Sequence, residues 1–286
     1  MQELIRDRFL PVLDNPALRQ MSDAAEININ KERFAFTTDS FVVKPLFFPG
    51  GDIGKLSVCG TVNDISVQGG KPLCISCAII VEEGFDIQTL DKIIKSIGKI
   101  AREAGIKVVA GDFKVVEKGS CDGIFINTAG IGIIKKGIRL HPDRIEANDK
   151  VIITGNIAQH GFCILSSREG LGFKIRSDCA ALDRLLLPLL DVGGIRFMRD
   201  PTRGGVATTL NEIAELSGLG IIINEERLPI SGSVRACAEL TGIDPLYLAS
   251  EGAAIVIVDD RKAQDVLEKL HKNPLGRSAR IVGEVV

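Results

Sequence analysis

The spacing of apolar residues changes character along the chain. Between residues 86 and 104, Ile87, Leu90, Ile93, Ile94, Ile97 and Ile100 recur at helical intervals ahead of Gly105, which predicts an amphipathic helix closed by glycine. Residues 73–81 and 124–134 are apolar runs of strand length, and residues 107–110 read as a further strand. Residues 33–37 and 41–43 read as strands flanking a polar turn at Thr38-Asp39-Ser40. A helix is expected over residues 55–67, behind the glycine-rich stretch 49–54. A short amphipathic helix is expected over residues 1–10, with Leu4, Ile5 and Phe9 at helical spacing.

The later part of the chain repeats the mixture. Strands are predicted at 151–154, 220–223, 254–258 and 280–285, with helices near 158–169 and 179–191, after Gly205, and at 233–240 and 262–271. The charged stretch 135–148, which holds His141-Pro142, separates the two parts. The expected organisation is therefore two α+β domains, an N-terminal one over 1–140 and a C-terminal one over 141–286. A length of 286 residues agrees, at roughly 150 residues per domain.

Composition narrows the partners. There are 35 basic against 37 acidic side chains, one Tyr, no Trp and no long Lys/Arg cluster, which argues against a dedicated binder of nucleic acid or of an anionic membrane surface. No apolar run approaches the roughly 18 residues of a membrane helix. Seven cysteines, an odd number spread through the chain, suit free thiols in a reducing cytoplasm.

Candidate chemistry lies in single acids set among small residues: Thr37-Thr38-Asp39-Ser40, Val62-Asn63-Asp64-Ile65 and Ala110-Gly111-Asp112-Phe113-Lys114. Taken singly, each Asp reads best as a turn or cap residue. Taken together they offer the oxygen ligands of a Mg²⁺–phosphate site, with Lys114 available to a phosphate. Asp200-Pro201-Thr202-Arg203-Gly204-Gly205 precedes a helix, so its glycines allow close approach of an anion and Arg203 adds charge. The Walker spacing fails at Pro49 and no G-x-G-x-x-G follows a strand, which removes the usual arguments for a P-loop and for a dinucleotide cofactor. Cys74 and Cys77 have C-x-x-C spacing, but strand alternation sends them to different faces and no second pair exists, so buried structural thiols are expected. His141, His160 and His271 are too scattered for a metal motif; His160, at a helix start, could move a proton or cap the helix.

Read in order, Phe36-Thr37-Thr38-Asp39-Ser40, Phe47-Phe48-Pro49-Gly50-Gly51, Cys59-Gly60-Thr61-Val62-Asn63-Asp64, Gly111-Asp112-Phe113-Lys114, Asp200-Pro201-Thr202-Arg203-Gly204-Gly205 and Ser250-Glu251-Gly252 closely resemble the HypE family of hydrogenase maturation proteins. That family is grouped with aminoimidazole ribonucleotide synthetase, selenophosphate synthetase and thiamine-monophosphate kinase. The resemblance implies a two-domain aminoimidazole ribonucleotide synthetase-like α+β fold, with N-terminal domains pairing in a homodimer around ATP and Mg²⁺. It implies ATP-dependent dehydration of a C-terminal cysteine S-carboxamide, installed by HypF, to a thiocyanate whose cyano group passes to iron on a HypC–HypD complex. On this sequence it implies Asp39, Asp64 and Asp112 as the metal-holding acids, Thr38, Asn63, Gly111 and Lys114 beside the phosphates, and Arg203, Gly204 and Glu251 opposite them. Lys114, Asp64, Glu251 and His160 are then the catalytic candidates, and the base is open between His160, Glu251 and a water held by an acid. The family's glycine-rich N-terminal loop and Pro-Arg-Ile-Cys tail fall outside Met1–Val286, so the expectation is a trimmed core that holds nucleotide weakly and lacks the cysteine it would modify. The rival expectations are another ATP-using relative, selenophosphate synthetase-like or a small-molecule kinase, and a non-catalytic docking module for HypF or HypC–HypD.

Overall fold

A computed structural model describes residues 4–286. The first sheet contains β1 (Ala25–Ile29), β2 (Glu32–Phe41), β3 (Gly70–Glu82), β4 (Lys107–Val116) and β5 (Ile124–Ile134), in the spatial order β1-β2-β5-β3-β4. Its pairs are antiparallel except β3 with β4. A parallel neighbour needs a crossover, and the helix α2 (Ile87–Ala104) supplies it; Asp86 caps its start by accepting from the Thr89 amide, and Gly105 ends it in the left-handed conformation.

Along these strands side chains alternate between two faces. Ala35, Thr37, Ile75, Cys77, Ile126 and Thr128 are buried beneath α1 (Ile53–Val67) and α2. The opposite face carries Phe36 and Ile80, both exposed, together with Thr38, Ser40 and Asn127. Nearly every residue of α1 is buried, as expected of a helix with no polar face. It can lie this close to the sheet because Gly132 has no side chain: a Cβ there would stand 2.3 Å from Ile65 Cγ2.

The second sheet contains β6 (Lys150–Ile153), β7 (Ile195–Arg199), β8 (Ile221–Ile223), β9 (Ile255–Val258) and β10 (Arg280–Val285), ordered β8-β10-β6-β9-β7 and antiparallel throughout. Both faces are covered. Ile152, Val256 and Val258 pack with Leu182, Leu186 and Leu270 on one side; Ile153, Ile255 and Ile257 pack with Val206, Leu210 and Ile213 on the other. Three further helices, α3 (Gln159–Glu169), α4 (Gly205–Ser217) and α5 (Gly232–Thr241), precede β9, and α6 (Asp260–His271) follows it.

Several expectations are corrected. No turn interrupts β2 at Asp39: the strand pairs with β5 through Phe41, and Thr38 donates to the Thr128 carbonyl. The strand expected over 107–110 continues through Gly111, Asp112 and Lys114, because its pairing with β3 runs to Val116. The helix expected over 179–191 is an extended segment followed by a single turn, Asp183–Leu186, and the 3₁₀ turn Leu187–Leu189 around Pro188, which has no amide hydrogen to give. Of the helix expected over 1–10, residues 1–3 lie outside the described residues, and Ile5–Phe9 is a π turn leading into Leu10–Leu13. Strands β1 and β7 and a small hairpin, Phe47–Phe48 with Gly51–Asp52, were not expected. Among the described residues all seven cysteines are free thiols and no helix is long and apolar enough to cross a membrane.

Candidate active site

A cavity of about 820 Å³ opens between the end of β2, helix α1 and the stretch from Arg199 to Glu212. Thr37, Thr38, Asp39 and Asp64 form one wall, while Asp200, Arg203, His160 and Glu251 line the others. Thr37 and Asp39 share the inward face of β2, two residues apart, and Asp64 comes from the last turn of α1. The Thr37 hydroxyl bridges them to the adjoining loop, 2.7 Å from Asp64 Oδ2 and 2.9 Å from the Asp23 carbonyl. Gly204 precedes α4 in the left-handed region (φ 78°), and a Cβ there would meet the Thr208 hydroxyl at 2.2 Å, so only glycine fits before that helix.

Electrostatics set this cavity apart. Withdrawal from water raises the Asp39 carboxyl above its usual range while a hydrogen bond from Asp64 partly offsets the shift. Asp64 and Asp200 are pushed well above theirs, first by burial and then by the neighbouring acids Asp23 and Asp39, with Asp200 adding to the shift on Asp64. Burial also raises Asp23 to about 6 against the opposing pull of Arg199, whose guanidinium spans Asp23 Oδ1 at 3.1 Å and Glu212 Oε2 at 2.9 Å. Glu251 is likewise held well above the normal glutamate range, chiefly by burial. Burial depresses His160 to about 4, leaving a neutral ring edge-on to Phe48 with Nδ1 2.8 Å from Ser177 Oγ. Carboxyls crowded together at a cavity wall favour a cation, which would relieve their mutual repulsion. Among the described residues no three such side chains ring one point. Mg²⁺, however, is commonly held by one or two carboxylates plus substrate phosphates, and the Asp39 and Asp64 pair with Asp200 nearby fits that need.

Asn63 does not face this cavity. Its amide donates to the Ala180 and Glu251 carbonyls at 3.1 and 3.4 Å and accepts from the Leu182 amide at 2.8 Å, tying α1 to the second half of the chain. Gly111, Asp112 and Lys114 lie elsewhere again. Asp39 pairs with Thr128, Thr128 with Cys77 and Cys77 with Gly111, so β4 is three strands, about 14 Å, from β2 at the usual strand spacing. Asp112 is exposed there, 3.2 Å from Lys114 Nζ. Within one chain, then, the acid triplet expected from the sequence does not assemble: Asp39 and Asp64 meet and Asp112 stands apart.

Residues 21–134 match the family model of the AIR synthase related protein N-terminal domain, and residues 146–286 match the corresponding C-terminal domain. The carbamoyl dehydratase HypE of Cupriavidus necator is 46% identical over 99% of this chain and 82% of its own length; that of Escherichia coli K12 is 43% identical over 100% and 87%. A solved HypE–HypF complex aligns with a TM-score of 0.95 at 50% identity, covering 99% of this chain and 92% of that one. The chain belongs to the HypE family. A HypE structure in complex with ATP also aligns, with a TM-score of 0.87 at 46% identity over 99% and 85% of the two chains. Thiamine monophosphate kinase from Aquifex aeolicus, at 17% identity and a TM-score of 0.74 over 100% and 94%, shares the fold. The HypE resemblance and the two-domain α+β fold expected from the sequence both hold.

Set in that HypE frame, six residues selected from the sequence, Thr38, Asp39, Asp64, His160, Arg203 and Glu251, line one cavity. Asp200 was quoted as part of a motif and not as a ligand, although it opens the segment that also provides Arg203 and Gly204. Asp23 and Arg199 were missed; nothing in their local sequence separates them from ordinary loop and strand charges.

Proposed function

We propose that this chain is an ATP-dependent carbamoyl dehydratase of hydrogenase maturation. The substrate is the S-carboxamide of a cysteine on the family's C-terminal tail, formed by HypF. An amide oxygen is a poor leaving group; phosphorylated by ATP, it departs as phosphate, and loss of both N–H protons leaves the thiocyanate, with ADP and phosphate as the other products. The observation that carries this reading is the single cavity in which Asp39, Asp64 and Asp200 face His160, Arg203 and Glu251. The names of the relatives and the ATP complex of a homologous HypE support it. Asp39 and Asp64, with Asp200 nearby, would hold Mg²⁺ together with triphosphate oxygens, and the ion when bound neutralises triphosphate charge. Arg203 and the start of α4 at Gly204 face the same phosphates. His160, neutral through burial, is the candidate acceptor for an N–H proton, and Glu251, whose burial favours its acid form, the candidate donor to the departing oxygen.

The reading includes a homodimer of the N-terminal domains, with the boundary at residues 140 and 141. The exposed apolar side chains Phe36 and Ile80 on the uncovered face of the first sheet support it. So does the position of Asp112 and Lys114 on an exposed edge strand, three strands from Asp39, from which they could reach the nucleotide of a second copy. HypF is the carbamoyl donor, HypC–HypD the acceptor of cyanide, and the cytoplasm the compartment. The test follows the mass of the C-terminal peptide in protein carrying the family's cysteine tail, incubated with HypF, carbamoyl phosphate and ATP. Carbamoylation followed by ATP-dependent loss of one water is expected. A carbamoylated tail that keeps its water would overturn the assignment.

A further inference from the structure

Asp178 takes no part in the chemistry above, yet its carboxyl is held in an unusual way. Oδ2 accepts from two successive amides, Glu251 at 3.1 Å and Gly252 at 2.9 Å, while Oδ1 is sealed from solvent without a hydrogen-bond partner among the described residues. A buried acceptor left unpaired is costly, so the contact made by the other oxygen has to outweigh it. Gly252 lies flat on this segment: a Cβ there would stand 1.9 Å from the Asp178 carbonyl oxygen, which no side chain could tolerate.

The same short segment holds the other side of the turn. The Ala180 amide donates to the Glu251 carbonyl at 3.2 Å, and Asn63 approaches that carbonyl from α1. The preceding residue is fixed as well: the Ser250 amide donates to the Pro201 carbonyl at 3.0 Å and its hydroxyl accepts from the Ala158 amide at 2.9 Å. Both backbone polar groups of Glu251 are therefore claimed by neighbours, and the direction in which its side chain leaves the turn toward the cavity is set.

We propose that Asp178 is a positioning residue of this active site, which by accepting the Glu251 and Gly252 amides aims the Glu251 carboxyl into the cavity and acts on the reaction through Glu251. The proposal rests on the reading that Glu251 serves in the dehydration.

The test is a double-mutant cycle read by single-turnover dehydration of the carbamoylated tail, with ATP affinity measured by calorimetry. Glu251→Gln is expected to slow the step at least about tenfold. Asp178→Ala is expected to slow it by about tenfold with ATP affinity within about twofold, and to add less than about twofold once Glu251→Gln is present. Asp178→Asn keeps an acceptor for both amides and should restore the rate to within about threefold of wild type. Should the alanine variant fail to fold, Asp178→Glu, which keeps the charge but displaces the acceptor by one methylene, gives the same cycle. An equal fold-loss from Asp178→Ala in both backgrounds, or an asparagine variant as slow as the alanine one, would overturn the proposal and leave the role of Glu251 standing. A wild-type rate for Glu251→Gln would instead remove Glu251 from the reaction, and Asp178 with it.

Discussion

Asp64 and Asp112 sit in similar local sequence, each following a small or polar residue and preceding a large apolar one, and the fold treats them in opposite ways. Asp64 is on a buried helix, 2.7 Å from the Thr37 hydroxyl and surrounded by Asp23, Asp39 and Asp200, so its carboxyl is pushed well above its usual range. Asp112 is on an exposed edge strand with Lys114 as neighbour. The first is an electrostatically unfavourable wall that a cation with phosphates would relieve; the second lies three strands away from that wall in its own chain. Similar acidic motifs therefore need not share one site in the folded chain.

The largest effect that would break this contrast is on turnover. Asp64→Asn should reduce Mg²⁺-dependent ATP turnover by about 100-fold or more, measured by phosphate release, because one of the acids expected to hold the ion is lost. Asp112→Asn should cost about tenfold, and an equal mixture of the two variants should recover about a quarter of wild-type activity by statistical exchange of subunits in a symmetric dimer. Failure of the mixture to recover would place Asp112 outside the site. A smaller effect separates the two regions by protons. Raised carboxyls keep protons at a pH where free ones have lost them, and a bound cation favours the ionised form, so Mg²⁺–ATP binding should release protons and tighten as pH rises. Calorimetry in buffers of different ionisation heat should find this release reduced by Asp200→Asn and unchanged by Asp112→Asn. The smallest effect concerns stability: Lys114→Ala, which deletes an exposed ion pair, should change it by less than about 0.5 kcal/mol in urea unfolding.

The regular part of the fold was legible because its periodicity and punctuation agree. Helix α2 shows its buried face as Leu90, Ile93, Ile97 and Ile100 and its end as Gly105, and the run 124–134 is β5 to the residue. Residues 179–191 misled because Leu182, Leu185, Leu186 and Leu189 are all core residues, yet the chain before them is held extended by bonds to Asn63 and Glu251 that no local pattern records. The apparent turn at Thr38-Asp39-Ser40 misled for a related reason. Thr38 and Ser40 are polar because they lie on the uncovered face beside Asn127, whose amide reaches the Asp39 carbonyl and the Ser40 hydroxyl. Within the site, residues in short motifs were found, whereas Asp23 pairs with Arg199 and Asp178 with Glu251 across more than 70 residues of sequence.

Asn63 also has a mechanical consequence. Its three hydrogen bonds join α1 to Ala180, Leu182 and Glu251, so the helix that carries Asp64 and the turn that carries Glu251 are fastened into one rigid block. A hinge swinging the two halves apart would have to break all three bonds at once and expose the apolar surfaces beneath them. Within one chain the spacing between Asp64 and Glu251 is thus set when the chain folds.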